Sequence, residues 1–335
     1  AGVCGRSVGY YCNKSWSHAS YIVKTFMKSI WKIIRIVFIA VGVAVLAAFA
    51  KLVLSGYELQ VSGIKNQVIE IRFDRTNKIR YDEMVKLLRE AGRYKADTAD
   101  VEINYVPDIQ RSEEIMDYFC LDTLYDAGAS TWEKTLAIGR FVATNIPHDN
   151  QKEYPEYVNA IGLWEYTKTV APAFNCRLHS ILTYELLTAA GIKARYITCL
   201  PYDRNDNDCH VVNEVWLPET GKWVMIDTDM KRYVTDRKGN LLSLAEIREH
   251  FINDKKVVVY HNFDDPSSKI SYYHAYMAKN TYWFCRWGDL GFYQEDYKTF
   301  PESKLRSRYY ALVPEGFETF SGREITTNDS EQFWK

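Results

Sequence analysis

Residues Ile36 to Ala50 form an uninterrupted apolar run, IVFIAVGVAVLAAFA, and no other feature so narrows what the chain can build. The run resumes after Lys51 with Leu52, Val53 and Leu54, so residues 36–54 make one segment of about 19 residues. At about 1.5 Å per residue such a helix just crosses a bilayer core of about 30 Å. A helix made from it is apolar on every side, whereas a surface helix of a soluble domain keeps one polar face. Lys24, Lys28, Lys32 and Arg35 precede the run, and only Lys51 closely follows, placed to snorkel its ammonium to the headgroups. That asymmetry predicts a basic 1–35 tail in the cytoplasm and everything after residue 55 outside it.

A cleaved signal peptide accounts for the same segment. Ala48-Phe49-Ala50 has the A-x-A form of a signal-peptidase site. The sequence starts at Ala1, and Met27 lies just upstream of Lys28. Were translation to start at Met27, residues 27–50 would hold a short basic stretch, an apolar stretch and a cleavage site. Anchor and signal peptide both remain open, and both export the rest of the chain. The product is either a single-pass membrane protein with its main domain outside the cytoplasm, or a secreted or periplasmic one cut near Ala50.

Composition excludes several classes for the remainder. Hydrophobic residues at 47% and charged residues at 25% are ordinary for a globular protein, so wholesale disorder is not expected. A net charge of -1 offers no electrostatic footprint for nucleic acid, and no helix-turn-helix or zinc-finger spacing occurs. Seven cysteines, at 4, 12, 120, 176, 199, 209 and 285, include no C-x-x-C, which argues against a zinc ribbon or a thioredoxin-type pair. Cys199 and Cys209 flank a polar loop and are close enough in sequence to form a local bridge. A zinc site built from them with His210 has the wrong ligand spacing. No metal and no cofactor are expected.

The exported part reads as α+β. Residues 57–128 form a lead-in: a strand at Val68–Phe73, a helix at Asp82–Tyr94, a strand at Val101–Val106 stopped by Pro107, and a helix at Ser112–Tyr125. Ser130-Thr131-Trp132-Glu133 is a capping box that opens a helix running to about Thr144, ended by Pro147. Residues 149–172 read as a loop with one short helix around Ala160–Tyr166. Residues 231–335 are rich in tyrosine and tryptophan, with a helix start at Ser243-Leu244-Ala245-Glu246. Their aromatic cluster, from Tyr272, Tyr273 and Tyr276 through Tyr282-Trp283-Phe284 to Phe292-Tyr293, either lines a groove or covers the core, and covering is preferred.

The chemistry concentrates between residues 129 and 230. Cys176 to Ala190 reads as a helix ending at Gly191, where a left-handed cap is usually needed. Ile192–Leu200 reads as a strand. His210–Trp216 and Trp223–Asp227 then form a hairpin around Pro218-Glu219-Thr220-Gly221. A helix N-terminus and a neighbouring imidazolium both stabilise a thiolate, and Cys176 opens a helix. His210 opens one hairpin strand and Asp227 closes the other, so both fall at one edge of the sheet. Nucleophile, base and orienter are the three parts of covalent acyl transfer.

This order resembles the transglutaminase-like superfamily, on a papain-related core. The resemblance rests on spacings of 34 and 17 residues and on the surroundings: Cys176-Arg177, Leu187-x-x-Ala190-Gly191-Ile192-x-Ala194-Arg195-Tyr196, His210-x-x-Asn213-Glu214-Val215, and Gly221-Lys222-Trp223-Val224-x-x-Asp227-Thr228. It covers roughly residues 130–230, including the helix that starts at Trp132. It implies a helix bearing the nucleophile packed on an antiparallel sheet, with a Cys176-His210-Asp227 triad and the Cys176 N–H as one oxyanion donor. Asn175 and Trp164 are candidates for the second donor. Phe174 stands where the family usually has glycine, which puts substrate access in question, and Leu178-His179 replaces a small aromatic cluster. His179 is expected to pack on the helix face.

The resemblance thus implies an exported thiol enzyme acting on amide or peptide bonds of a peptide or protein substrate. The triad serves hydrolysis and cross-linking alike; hydrolysis is favoured, since no calcium-loop signature or extra regulatory domain is visible. The alternative is a catalytically silent scaffold that binds peptides or cell-wall material in the same cleft.

Overall fold

A computed structural model describes residues 9–65, 68–91, 94, 101, 103–106, 108–292, 309–319 and 324–335. Pro107 and Tyr293 lie outside the described residues. Residues 1–75 and 76–335 make two compact units. The first begins with α1 (Gly9–Leu54), of which Lys24–Leu54 is long and apolar enough to span a membrane or serve as a signal anchor. An antiparallel hairpin of β1 (Glu58–Lys65) and β2 (Val68–Asp74) comes next, and β2 includes the strand read from the sequence.

The second unit opens with α2 (Thr76–Glu90), which starts six residues before the expected Asp82. Its polar first turn is held by Lys78, which donates to Asp82 one turn on at 2.6 Å. Of the strand expected at 101–106 only β3 (Asn104–Val106) forms. The helix expected at Ser112–Tyr125 is instead α3 (Ile109–Phe119). Asp108 caps its start by accepting the Arg111 N–H at 2.9 Å, and Cys120 ends it in the left-handed region at φ 49°. α4 (Thr131–Asn145) has both halves of the Ser130–Glu133 capping box. α5 (Ala160–Thr169) runs three residues beyond the expected end.

α6 (Cys176–Ala189) leads through Gly191, at φ 74°, into β4 (Ala194–Leu200). β5 (His210–Leu217) and β6 (Lys222–Asp227) form the expected hairpin, with Val215 opposite Val224. Then come β7 (Arg232–Asp236), α7 (Leu244–Ile252), β8 (Val257–His261), β9 (Asp265–Ser267), α8 (Tyr272–Asn280), β10 (Trp283–Trp287) and β11 (Asp289–Gly291). β12 (Tyr309–Leu312), β13 (Ile325–Thr327) and α9 (Ser330–Trp334) complete the order.

Nine of the described strands form one sheet in the order β13-β12-β10-β4-β5-β6-β7-β8-β9, antiparallel except where β12 meets β13. The elements after residue 231 therefore extend the same sheet as the hairpin. Alternation along β5 sends Val211 and Val215 to one face and Val212 to the other. The first face packs against α3–α6, with Leu182, Leu186 and Leu187 of α6 fully buried. Side chains buried to that degree contribute about 1.5–3 kcal/mol each. The second face is covered by residues of α2, α7 and α8, among them Leu88, Phe251 and Met277. Gly139 lets α4 approach β6 closely: a Cβ there would meet Ile226 Cδ1 at 2.8 Å. A helix on an antiparallel sheet is the architecture expected for the core.

Candidate active site

The start of α6 is fixed before any chemistry is considered. Asn175 caps it, its Oδ1 accepting the Leu178 N–H at 3.1 Å. The approach to the cap is tied to residues 147–151. Phe174 N–H donates to the Pro147 carbonyl at 3.0 Å, and Asp149 N–H donates to the Phe174 carbonyl at 2.9 Å. Gln151 adds a bracket, its Nε2 donating to the Ala173 carbonyl at 2.8 Å and its Oε1 accepting the Asn175 N–H at 3.1 Å. Cys176 is thus held in the first turn, where backbone N–H groups lack a carbonyl four residues back and the helix dipole favours negative charge.

His210, at the start of β5, shares the cleft wall with Cys176, whose side chain is among the neighbours that favour its charged form. Its Nε2 is 2.7 Å from Asp227 Oδ2, at the end of β6, and both side chains are fully buried. Asp227 Oδ1 accepts the Met230 N–H at 2.9 Å, and Oδ2 also accepts the Tyr273 hydroxyl at 3.1 Å. Burial alone would raise the Asp227 pKa, but the charge and hydrogen bond of His210, with the Met230 and Tyr273 donors, hold it below the ordinary carboxylate value. For His210, burial opposes the charged form, yet the Asp227 carboxylate and the Cys176 contact outweigh it and hold the imidazole well above its ordinary value. With Asp227 ionised, Nε2–H donates to it and Nδ1 is the ring nitrogen left to face the thiol.

Cys176 and His210 stand on the wall of one open cleft of about 670 Å³, which also includes Asn175, His148, Asp229 and Tyr276, with Asp227 buried behind them. The bulk of Phe174 does not obstruct it, because the ring is fully buried in the apolar layer, edge-on to His179 and beside Tyr166. Asn175 does face the cleft, and with its Oδ1 committed to the cap its Nδ2 remains a possible donor. Trp164 is not at the site. It lies on α5, stacked on Phe141 at 5.3 Å and edge-on to Phe119, so it packs the helical layer rather than donating to an oxyanion. His179 is buried beneath the cleft, as expected of a packing residue, and burial lowers its pKa to about 4.

The Cys199–Cys209 bridge is not formed: Cys120, Cys176, Cys199, Cys209 and Cys285 are free thiols. Cys199 packs into the apolar cluster on one face of the sheet while Cys209 lines the cleft, so the two sulfurs serve different environments. Among the described residues no group of three or more His, Cys, Asp or Glu is arranged to hold a metal ion. The acidic loop before His210 closes instead on a lysine. Lys279 Nζ donates to Asp206 Oδ2 at 2.7 Å, to the Asp208 carbonyl at 2.7 Å and to Asp208 Oδ2 at 3.1 Å.

Residue-by-residue reading missed what α8 contributes. Tyr273 reaches Asp227 from 46 residues further along the chain. Tyr276 lays its ring edge-on to His210 at 5.1 Å and donates its hydroxyl to Asp208 Oδ1 and the Cys209 carbonyl, both at 3.1 Å. The tyrosine cluster was visible in the sequence, but not which members face the triad. In the fold, Tyr272 and Tyr276 line the cleft while Tyr273 and Trp283 are buried, so the cluster does both of the things proposed for it.

Residues 121–228 match the family model of the transglutaminase-like superfamily. No curated protein matches. Among solved structures, similarity is found to a cysteine protease candidate from Cytophaga hutchinsonii, at 17% identity over 47% of this chain and 50% of that one, with a TM-score of 0.29. A TGase is similar at 13% identity over 53% and 46%, with a TM-score of 0.24. A protease candidate from Parabacteroides distasonis is similar at 11% identity over 63% and 35%, with a TM-score of 0.23. The chain spans half or less of the length of each. The segment that matches the transglutaminase-like superfamily, residues 121–228, is the one that carries the helix of Cys176 and the hairpin of His210 and Asp227.

Proposed function

We propose that this chain is a thiol enzyme that forms a thioester at Cys176 from an amide or peptide carbonyl. The observation that carries the reading is that Cys176 and His210 line one open cleft, with the imidazole Nε2 2.7 Å from the buried Asp227 carboxylate behind it. The thiol proton resides on His210, which faces the sulfur as an imidazolium while the thiolate attacks, and Asp227 keeps that imidazolium oriented and compensated. The Cys176 N–H, with the Asn175 amide beside it, is placed to receive the oxyanion. His210 then returns the proton to the leaving amine. Water completes hydrolysis and an amine completes cross-linking, and peptide hydrolysis is the favoured outcome. The substrate is a peptide or protein, met outside the cytoplasm.

The test is covalent labelling. A chloroacetamide peptide incubated with the full chain in detergent should alkylate Cys176 far faster than the exposed Cys120, and His210→Ala should abolish that preference. Equal labelling of the two thiols would sink the mechanism and leave a peptide-binding scaffold as the better account.

A further inference from the structure

The cleft holds a second histidine–carboxylate pair. His148 Nδ1 is 2.7 Å from Asp229 Oδ1; the Asp229 side chain is 5% exposed and that of His148 is 53% exposed. Both line the same cleft as Cys176. The backbone brings His148 there, because residue 148 bridges Phe174, two positions before the nucleophile. Asp229 is presented by the turn after β6, which Met230 closes onto Asp227. One turn thus supplies a carboxylate to each histidine: Asp227 to the buried one, Asp229 to the open one.

We propose that His148, oriented by Asp229, is the general base of the second half-reaction, taking the proton of the water or amine that attacks the acyl-enzyme. The assignment rests on the thioester mechanism above. Three observations favour it. His210 is only 1% exposed and lies under the Tyr276 ring, so it meets the thiol but turns almost no surface to solvent. His148 is open to solvent, and with Nδ1 held by Asp229 its Nε2 is the nitrogen left for an incoming acceptor. The remaining neighbour of Asp229, His179 Nε2 at 3.6 Å from the same Oδ1, is neutralised by burial and leaves His148 as the partner of the carboxylate. Asp227, His210 and Lys231 are the other charges close to this cluster.

The step balances without a further reactant. The acceptor oxygen or nitrogen bonds to the thioester carbon and its proton moves to His148 Nε2. The C–S bond breaks with its electron pair on Cys176 Sγ, and the thiolate regains the proton. An acid or an amide leaves, according to the acceptor. In this arrangement His210 serves acylation and His148 serves acyl transfer.

Pre-steady-state kinetics on the full chain in detergent separate the two steps, with p-nitrophenyl acetate as acyl donor and water or glycine ethyl ester as acceptor. His148→Gln should leave the nitrophenolate burst within about twofold of the parent and slow deacylation about 10²-fold or more, within the range of general base catalysis. Acetylated Cys176 should then accumulate by intact mass. Asp229→Asn should shift the same step in the same direction, and added imidazole should restore deacylation in His148→Gly. Acyl uptake with unchanged deacylation in His148→Gln would overturn this assignment alone. So would an equal loss of both steps with an unchanged melting temperature. Failure of the parent protein to take up the acyl group at Cys176 would overturn the thioester mechanism with it.

Discussion

Asp227 is a carboxylate with no exposed surface, and His210, Met230 and Tyr273 compensate it. Its pKa is depressed in the fold, so the stability it contributes is fully present above its unfolded value of about 3.9 and is lost as pH falls through the folded value. His210 is raised, so its contribution is fully present below its unfolded value of about 6.5 and is lost as pH rises through the folded value. The pair therefore stabilises most between those limits. Asp227→Ala should lose about 3–5 kcal/mol at neutral pH, as expected for breaking a buried pair from one side. In urea titrations from pH 3 to 9 the deficit should shrink toward acid. A deficit independent of pH would mean the carboxylate acts by packing alone. In turnover assays Cys176→Ala should abolish activity, His210→Ala should nearly do so, and Asp227→Ala should leave a residue, down about 10⁴-fold by analogy with other orienter losses. Wild-type-like turnover in Cys176→Ala would exclude the sulfur as nucleophile.

At the scale of elements, α8 is the part that ties residues beyond 231 to the site. Tyr273→Phe removes one hydroxyl from a buried carboxylate, so it should cost about 1.5–3 kcal/mol, the range for a hydrogen bond to a charged group. It should also lower kcat more than it changes KM, because the hydroxyl meets Asp227 and not the cleft. A fall in stability with an unaltered kcat would confine Tyr273 to a packing role. The same element shows where sequence reading stops. The capping box at Ser130, the helix from Cys176 to its glycine stop and the hairpin that ends at Asp227 were legible because each is written in adjacent residues. The start of α2 and the span of α3 were not. Their ends depend on Lys78–Asp82 pairing and on Asp108 capping, while the apolar spacing continues past the true boundaries. Trp164 was misplaced for a related reason, since its partners Phe119 and Phe141 come from two other helices. Nothing local distinguishes Tyr273, which points at Asp227, from Tyr272, which lines the cleft.

For the whole molecule we propose that the long N-terminal helix crosses a membrane and that residues 76–335 work outside the cytoplasm. In the long N-terminal helix Ile36, Phe38 and Leu46 are 64%, 75% and 68% exposed, so the protein itself gives these side chains no apolar surroundings. Leaving such side chains in water forgoes about 1.5–3 kcal/mol each, which a bilayer core would recover. Lys24, Lys28, Lys32 and Arg35 all precede the run, and by the positive-inside bias we propose that this end stays in the cytoplasm. The cysteines make the prediction measurable, because Cys4 and Cys12 precede the run in sequence while Cys120 comes after it as an exposed free thiol. On intact cells without an outer barrier, a membrane-impermeant maleimide should label Cys120 in a Cys176→Ala background and spare Cys4 and Cys12 until the membrane is opened. Labelling of Cys4 and Cys12 with protection of Cys120 would reverse the orientation. Intact mass of the same sample separates anchor from signal peptide, since cleavage after Ala50 removes both N-terminal cysteines and the apolar run together. A cleaved product should still expose Cys120 outside the cytoplasm, because on this proposal anchor and signal peptide alike would export the chain beyond residue 55.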